Sequence, residues 1–108
     1  SMDSGVVAVD SELKVIMINP YAKKIFGVRG DIIGKKFSRY IMEDNILNVL
    51  KNSEDRVEVL IRYPEVRNLK IRTANTTQMQ ISVFIPASFN LVAILSINII
   101  AKFINSPH

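Results

Sequence analysis

Apolar positions follow two different periods along this chain. In residues 6–10 and 15–19, short runs rich in β-branched side chains (Val6, Val7, Val9; Val15, Ile16, Ile18) flank the polar link Ser11–Glu12. This pattern predicts a hairpin of buried strands. The second run leads into Asn19 and Pro20. Asn19 can accept hydrogen bonds from the unpaired amides at a helix start. Pro20 at the first helical position lacks only an amide that would have had no partner there. Ala22, Ile25 and Phe26 are spaced three and four apart, and Gly27 is suited to a left-handed cap, so a short helix is predicted between Pro20 and Gly27.

The polar residues Arg29, Gly30 and Asp31 then predict a turn, with Asp31 capping a brief helical turn over Ile32 and Ile33 that Gly34 ends. Residues 38–52 read as one or two helices. Ile46, Leu47, Val49 and Leu50 give a helical apolar face, and Asp44 or Asn45 stands in the cap position. Residues 52–55 form a polar loop.

Beyond residue 56 the period becomes two, in four strand-like pieces. Val57, Val59, Ile61 and Tyr63 alternate with Glu58 and Arg62, although Leu60 breaks the pattern. Leu69 and Ile71 alternate with Lys70 and Arg72, and Met79, Ile81, Val83 and Ile85 with Gln78, Gln80 and Ser82. Leu91, Ala93, Leu95, Ile97, Ile99, Ala101 and Phe103 form an unbroken apolar row. Such alternation marks strands with one face on a core. Pro64 separates the first two pieces and disfavours a continuous central strand. Either residues 57–63 extend a broken first strand or one of the pieces is a loop. The expected architecture is α+β, an antiparallel sheet of about five strands with helices from residues 19–52 on one face. The second row of the last strand (Val92, Ile94, Ile100, Ile104) is also largely apolar. The outer face of the sheet is therefore a candidate for self-association or for a flanking helix.

With 108 residues, 48 % of them apolar, the chain can form one small domain with a core of its own and is not expected to be disordered. The stretch 91–101 is too short to cross a membrane, which takes about 20 residues in a helix, and no signal peptide opens the chain. Ser1 and Met2 read as a cloning remnant. The net charge is +4, and all ten acids lie at or before Glu65 among ten Lys and Arg. The excess therefore comes from Arg67, Lys70, Arg72 and Lys102. Four separated cations lack the dense basic face of a nucleic-acid binder, so no nucleic-acid partner is expected.

Catalytic chemistry is missing from this composition. There is no cysteine, and the single histidine is His108, the last residue. Ser-His-Asp and Cys-His sets and thiolate metal sites are thereby excluded. The adjacent acids Glu43–Asp44 and Glu54–Asp55 point apart on a helix and read as cap and loop charges. Gly27, Gly30 and Gly34 fit no phosphate-loop spacing. No enzyme activity is expected of this chain itself.

The apolar strand 6–10, the sequence Ile18-Asn19-Pro20-x-Ala22-x-x-Ile25-Phe26-Gly27, and Ile33-Gly34 after a second glycine link together resemble the N-terminal half of a PAS domain. They are most similar to the PAS domains inside bacterial sensor histidine kinases and near the N-termini of some sigma-54-type activators. The resemblance covers residues 4–52 by motif and the rest by pattern. It implies a five-stranded PAS-like sheet at 4–104, with tails at 1–3 and 105–108.

In function, the resemblance implies a cytoplasmic regulatory module of a two-component sensor kinase, whose parent can be membrane-anchored. Such a module forms a homodimer and passes a signal through its last strand to an adjacent kinase or other output domain. The alternatives are the regulatory domain of a DNA-binding activator and a ligand-free homodimerisation module. Cysteinyl-flavin and haem types are not expected, since both cysteine and an interior histidine are absent. No cofactor is predicted. A non-covalent small ligand would contact Ile18, Phe26, Phe37, Tyr40, Ile41, Ile81, Val83 and Leu95, which otherwise simply fill the core. Asn19 takes the place of the family's cap on the first helix. Asn98, Ile99 and Ile100 fall where kinase-linked members carry Asp-Ile-Thr for signal output, so that residues 101–104 would begin the connection to the next domain.

Overall fold

The structure, a computed structural model, describes residues 4–75 and 97–106. Strand β1 (Ser4–Val9) and β2 (Val15–Ile18) form the expected hairpin, followed by α1 (Pro20–Phe26). A single 3₁₀ turn covers Phe37–Arg39, and α2 covers Asp44–Lys51. Strands β3 (Val57–Ile61), β4 (Arg67–Asn75) and β5 (Ile99–Asn105) complete one antiparallel sheet in the order β2-β1-β5-β4-β3. The last strand therefore lies in the middle, paired to β1 on one side and β4 on the other.

Local chemistry explains the hairpin. The Asp10 carboxylate accepts from the amides of Glu12 and Lys14, each at 2.9 Å. This closes the loop while Leu13 takes a left-handed conformation, φ 61°, as in three-residue hairpin loops with an αL residue after the turn. Helix α1 starts and stops as its residues dictate. Asn19 caps it, Pro20 occupies its first position, and the Gly27 amide (φ 68°) closes on the carbonyls of Lys23 and Lys24.

Several expectations change. Asp31 accepts from the Ile33 amide at 3.0 Å, but residues 32–34 form a plain turn, with no helical turn. The segment after it holds two helical pieces, and α2 is capped by the backbone of Glu43 with no side-chain cap bond, so neither Asp44 nor Asn45 is the cap. The Glu43 carboxylate is used elsewhere, accepting from the Arg62 amide at 3.2 Å. Residues 57–61 are an edge strand in their own right, hairpinned to β4 with Val59 opposite Leu69. Tyr63 and Pro64 lie in the connecting turn. Leu60 breaks the alternation because it stands on the outer face opposite Asn68, 38 % exposed. The expected strand 79–85 and residues 91–96 of the last apolar row lie outside the described residues. Strand β5 also reaches Asn105, opposite Leu69, one residue past the boundary expected at 104.

The core lies between the helices and the inner sheet face. Ile99, Ala101 and Phe103 of β5 join Val7, Leu69, Ile71, Ala22, Ile25, Ile46 and Leu50 there, each no more than 1 % exposed. Gly5 lets α1 approach: a Cβ at that position would stand 2.9 Å from Ala22 Cα and 2.9 Å from Ile25 Cδ1. On the outer face a smaller apolar cluster forms around Ala8, Ile97 and Ile100, with Val6, Ile16 and Met17 half-buried against it. Among the described residues, no helix is long and apolar enough to cross a membrane.

Candidate functional site: the core and the end of the last strand

The space that a non-covalent ligand would share with the core is built around three phenyl rings. Phe26 from α1 meets Phe103 of β5 at 4.9 Å between ring centres and Phe37 of the 3₁₀ turn at 5.7 Å, both edge-on. Such pairs contribute about 0.5–1.5 kcal/mol each beyond area burial. Phe26, Phe37 and Ile41 are buried, and Ile18 and Tyr40 pack half-buried against them. The structure thus brings these five expected residues to one core, while Ile81, Val83 and Leu95 lie outside the described residues. The Phe103 ring thus carries the central strand into contact with α1.

Asn19 does more than cap. Its Oδ1 accepts from the amides of Ala22 and Val6, both at 2.9 Å, and its Nδ2 donates to the Ser4 carbonyl at 2.9 Å. One side chain therefore ties the start of α1 to the start of β1. The capping half of this arrangement follows from the Asn-Pro pair; the bond to a strand thirteen residues earlier left no local signal.

The three residues assigned to output, Asn98, Ile99 and Ile100, lie at the start of β5. Asn98 donates its amide to the Val9 carbonyl at 2.8 Å, and Ile99 and Ile100 begin β5. Residues 101–104 are its middle, paired on both sides, so they do not begin a connection. Their alternation simply continues, and both backbone edges are engaged. The strand ends at Asn105, where a polar network gathers. Asn105 Nδ2 donates to the Tyr21 hydroxyl at 2.5 Å, and its Oδ1 accepts from Arg67 Nη1 at 3.2 Å. Arg67 also pairs with Glu65. At the next residue, the Ser106 amide donates to the Asn68 carbonyl at 2.8 Å and its hydroxyl to Glu58 at 3.2 Å. Tyr21 and Asn105 carry no signal in the sequence, and Arg67 stands out there only for its charge. Tyr21 and Asn105 stand 84 positions apart, and no local spacing announces such a pair.

At the opposite end of β4, Asp55 accepts from the Thr73 amide at 3.0 Å and from Arg72 Nε at 3.2 Å. Burial pushes its carboxyl up, but the bonds from Thr73, Arg72 and the Arg56 amide, with the Arg72 charge, outweigh that and hold it below its ordinary value. Among the described residues, no group of three or more His, Cys, Asp or Glu could hold a metal ion.

No protein-family model matches the chain. It is 38 % identical over 79 residues to a probable C4-dicarboxylate sensor kinase of Bacillus subtilis (strain 168), a match over 73 % of this chain and 13 % of that protein. Two solved structures of the PAS domain of the histidine kinase ThkA are similar in fold. The selenomethionine form with two Phe-to-Met substitutions has a TM-score of 0.56 at 16 % identity, and the other 0.53 at 12 %. Each comparison covers 93 % of this chain and 96 % of its counterpart. At such identities the likeness concerns the path of the backbone: a five-stranded sheet with short helices on one face.

Proposed function

We propose that this chain, PAS-like in fold, is the regulatory PAS module of a bacterial sensor histidine kinase. In this reading it pairs with a second copy in the cytoplasm and biases an adjacent output domain through β5. The observation that carries the reading is the position of β5. It is central in the sheet, its inner row is in the core, and its last residue is bonded to α1 and β4 through Tyr21 and Arg67. A packed core has discrete arrangements rather than a continuum. A change in how Phe26 packs on Phe103 therefore moves the end of the strand. The 38 % identity to a sensor kinase favours a kinase over a DNA-binding activator as the parent protein.

The test uses the parent protein with and without this domain. Removal is expected to leave autophosphorylation chemistry in place and to abolish its response to stimulus. An unchanged response in the deleted protein would end the regulatory reading. Native mass spectrometry of the 108-residue chain checks the pairing, for which a dimer is expected and a strictly monomeric spectrum would count against it.

A further inference from the structure

Independently of that reading, the outer face of the sheet holds an arrangement that signal transfer leaves unused. Along the outer row of side chains, Lys70 on β4 stands opposite Glu58 on β3, an ordinary cross-strand charge pair. Two residues further along β4, Arg72 stands opposite Lys102 on β5, and beyond Lys102 the row continues to Val6 on β1. Two cations are therefore directly opposed in the ladder, an arrangement that costs stability unless something negative lies between them. Asp55 reaches Arg72 through Nε at 3.2 Å. Lys102, half-buried, makes no ion pair among the described residues.

The same residues wall an indentation. Arg72, Thr73, Ala74, Ile100 and Lys102 line a shallow indentation that is open to solvent. Ala74 and Ile100 supply an apolar floor, and the two cations supply the walls. The Thr73 hydroxyl is already engaged with the Glu54 carbonyl and its amide with Asp55, which leaves the cationic side chains to do the recognition. The indentation is too shallow to enclose a nucleotide or a flavin.

We infer that this indentation, on the sheet face away from the helices, binds a small organic anion of a few carbons, held by carboxylate or phosphate groups between Arg72 and Lys102. A bound dianion would neutralise the opposed cations, and the apolar floor would take its short hydrocarbon part.

The experiment titrates the 108-residue protein with malonate, with inorganic phosphate and with neutral malonamide, at constant ionic strength. Amide chemical shifts and the thermal unfolding midpoint are followed. Malonate or phosphate is expected to bind saturably, to shift the amides of Arg72, Thr73, Ala74, Ile100 and Lys102, and to raise the midpoint. Whichever binds more tightly identifies carboxylate or phosphate as the natural chemistry. Lys102→Gln and Arg72→Gln are each expected to weaken binding about tenfold, since each removes a charge-assisted contact. Lys70→Gln, on the same face but outside the indentation, is expected to leave it unchanged and controls for general loss of positive charge. Failure of both anions to bind, equal binding of malonamide, or equal weakening by Lys70→Gln would overturn the assignment. If Arg72→Gln unfolds the protein through loss of the Asp55 contact, Lys102→Gln alone still decides, because Lys102 has no ion pair among the described residues to lose.

Discussion

The Tyr21 hydroxyl accepts a hydrogen bond from Asn105 Nδ2 at 2.5 Å, fastening the first turn of α1 to the last residue of β5. The bond is exposed, so its net worth to stability is small, about 0.5–1 kcal/mol. Its position at the end of the central strand makes it informative about output. Tyr21→Phe is expected to lower stability by no more than about 1 kcal/mol while changing the side-chain amide resonances of Asn105 and, on the proposed function, the basal output of the full-length protein. An unchanged Asn105 amide would show that the bond does not form in solution. Changed resonances with wild-type output would remove the bond from the signalling path.

Asn19 is expected to tolerate very little. Asn19→Ala removes the cap of α1 and leaves the Val6 amide and Ser4 carbonyl without partners, a loss of about 2–3 kcal/mol in urea unfolding. Asn19→Asp keeps both acceptor bonds but turns the donor to Ser4 into a second oxygen, so it should fall between Ala and the wild type. A cap and nothing more predicts that Asp equals Asn, since the two are equivalent at such positions. That equality would show that the bond from Nδ2 to the Ser4 carbonyl contributes nothing.

How much of this could be read from the residues depended on the range of the interaction. The hairpin, α1 and its two ends were legible because each rests on neighbours within four positions: Asp10 with its loop, Asn19 with Ala22, Gly27 with Lys23 and Lys24. The PAS-like sheet followed from alternation together with those signals. The cap of α2 was misplaced because Glu43 uses its carboxylate on Arg62, nineteen positions away. The place of residues 101–104 inside β5 was not legible from motif spacing, and Asn105, which ends the strand, is recognisable only once β4 and α1 lie beside it. Pairing of Arg72 with Lys102 likewise depends on register, which alternation alone does not fix.

Close packing of α1 on β1 gives a sharper test. A methyl group on Gly5 would lie 2.9 Å from backbone atom Ala22 Cα, nearer than contact allows, so the helix must move. Gly5→Ala is expected to cost about 1–3 kcal/mol and to shift the resonances of Phe26 and Phe103, which ride on that helix and its sheet. At Gly27, Ala meets two penalties, the left-handed φ of 68° and the approach to Tyr63 Cε2 at 3.1 Å. The expected loss is at least about 1 kcal/mol from the backbone alone. A Gly5→Ala protein with wild-type stability would mean that α1 sits further from the sheet than the described packing.

Asp55 should give the protein a specific acid sensitivity. Its carboxyl is held below its ordinary value: burial opposes this, and the hydrogen bonds from Thr73, Arg72 and Arg56 with the Arg72 charge prevail. A group whose pKa is lower in the folded chain than in the unfolded one adds stability above its unfolded pKa, about 3.9 for Asp. That contribution is lost as pH falls through the folded value, because protons then bind the unfolded chain first. At neutral pH, Asp55→Asn should cost under about 1 kcal/mol, since Asp55 and Arg72 are each about two-fifths exposed and water screens the pair. The difference between wild type and Asp55→Asn should be constant from pH 7 down to about 5 and shrink below about 4. Urea midpoints of both proteins at pH 7, 5 and 3 check this. A difference at pH 3 as large as at pH 7 would mean that the charge on Asp55 contributes nothing and that the loss comes from hydrogen-bond geometry alone.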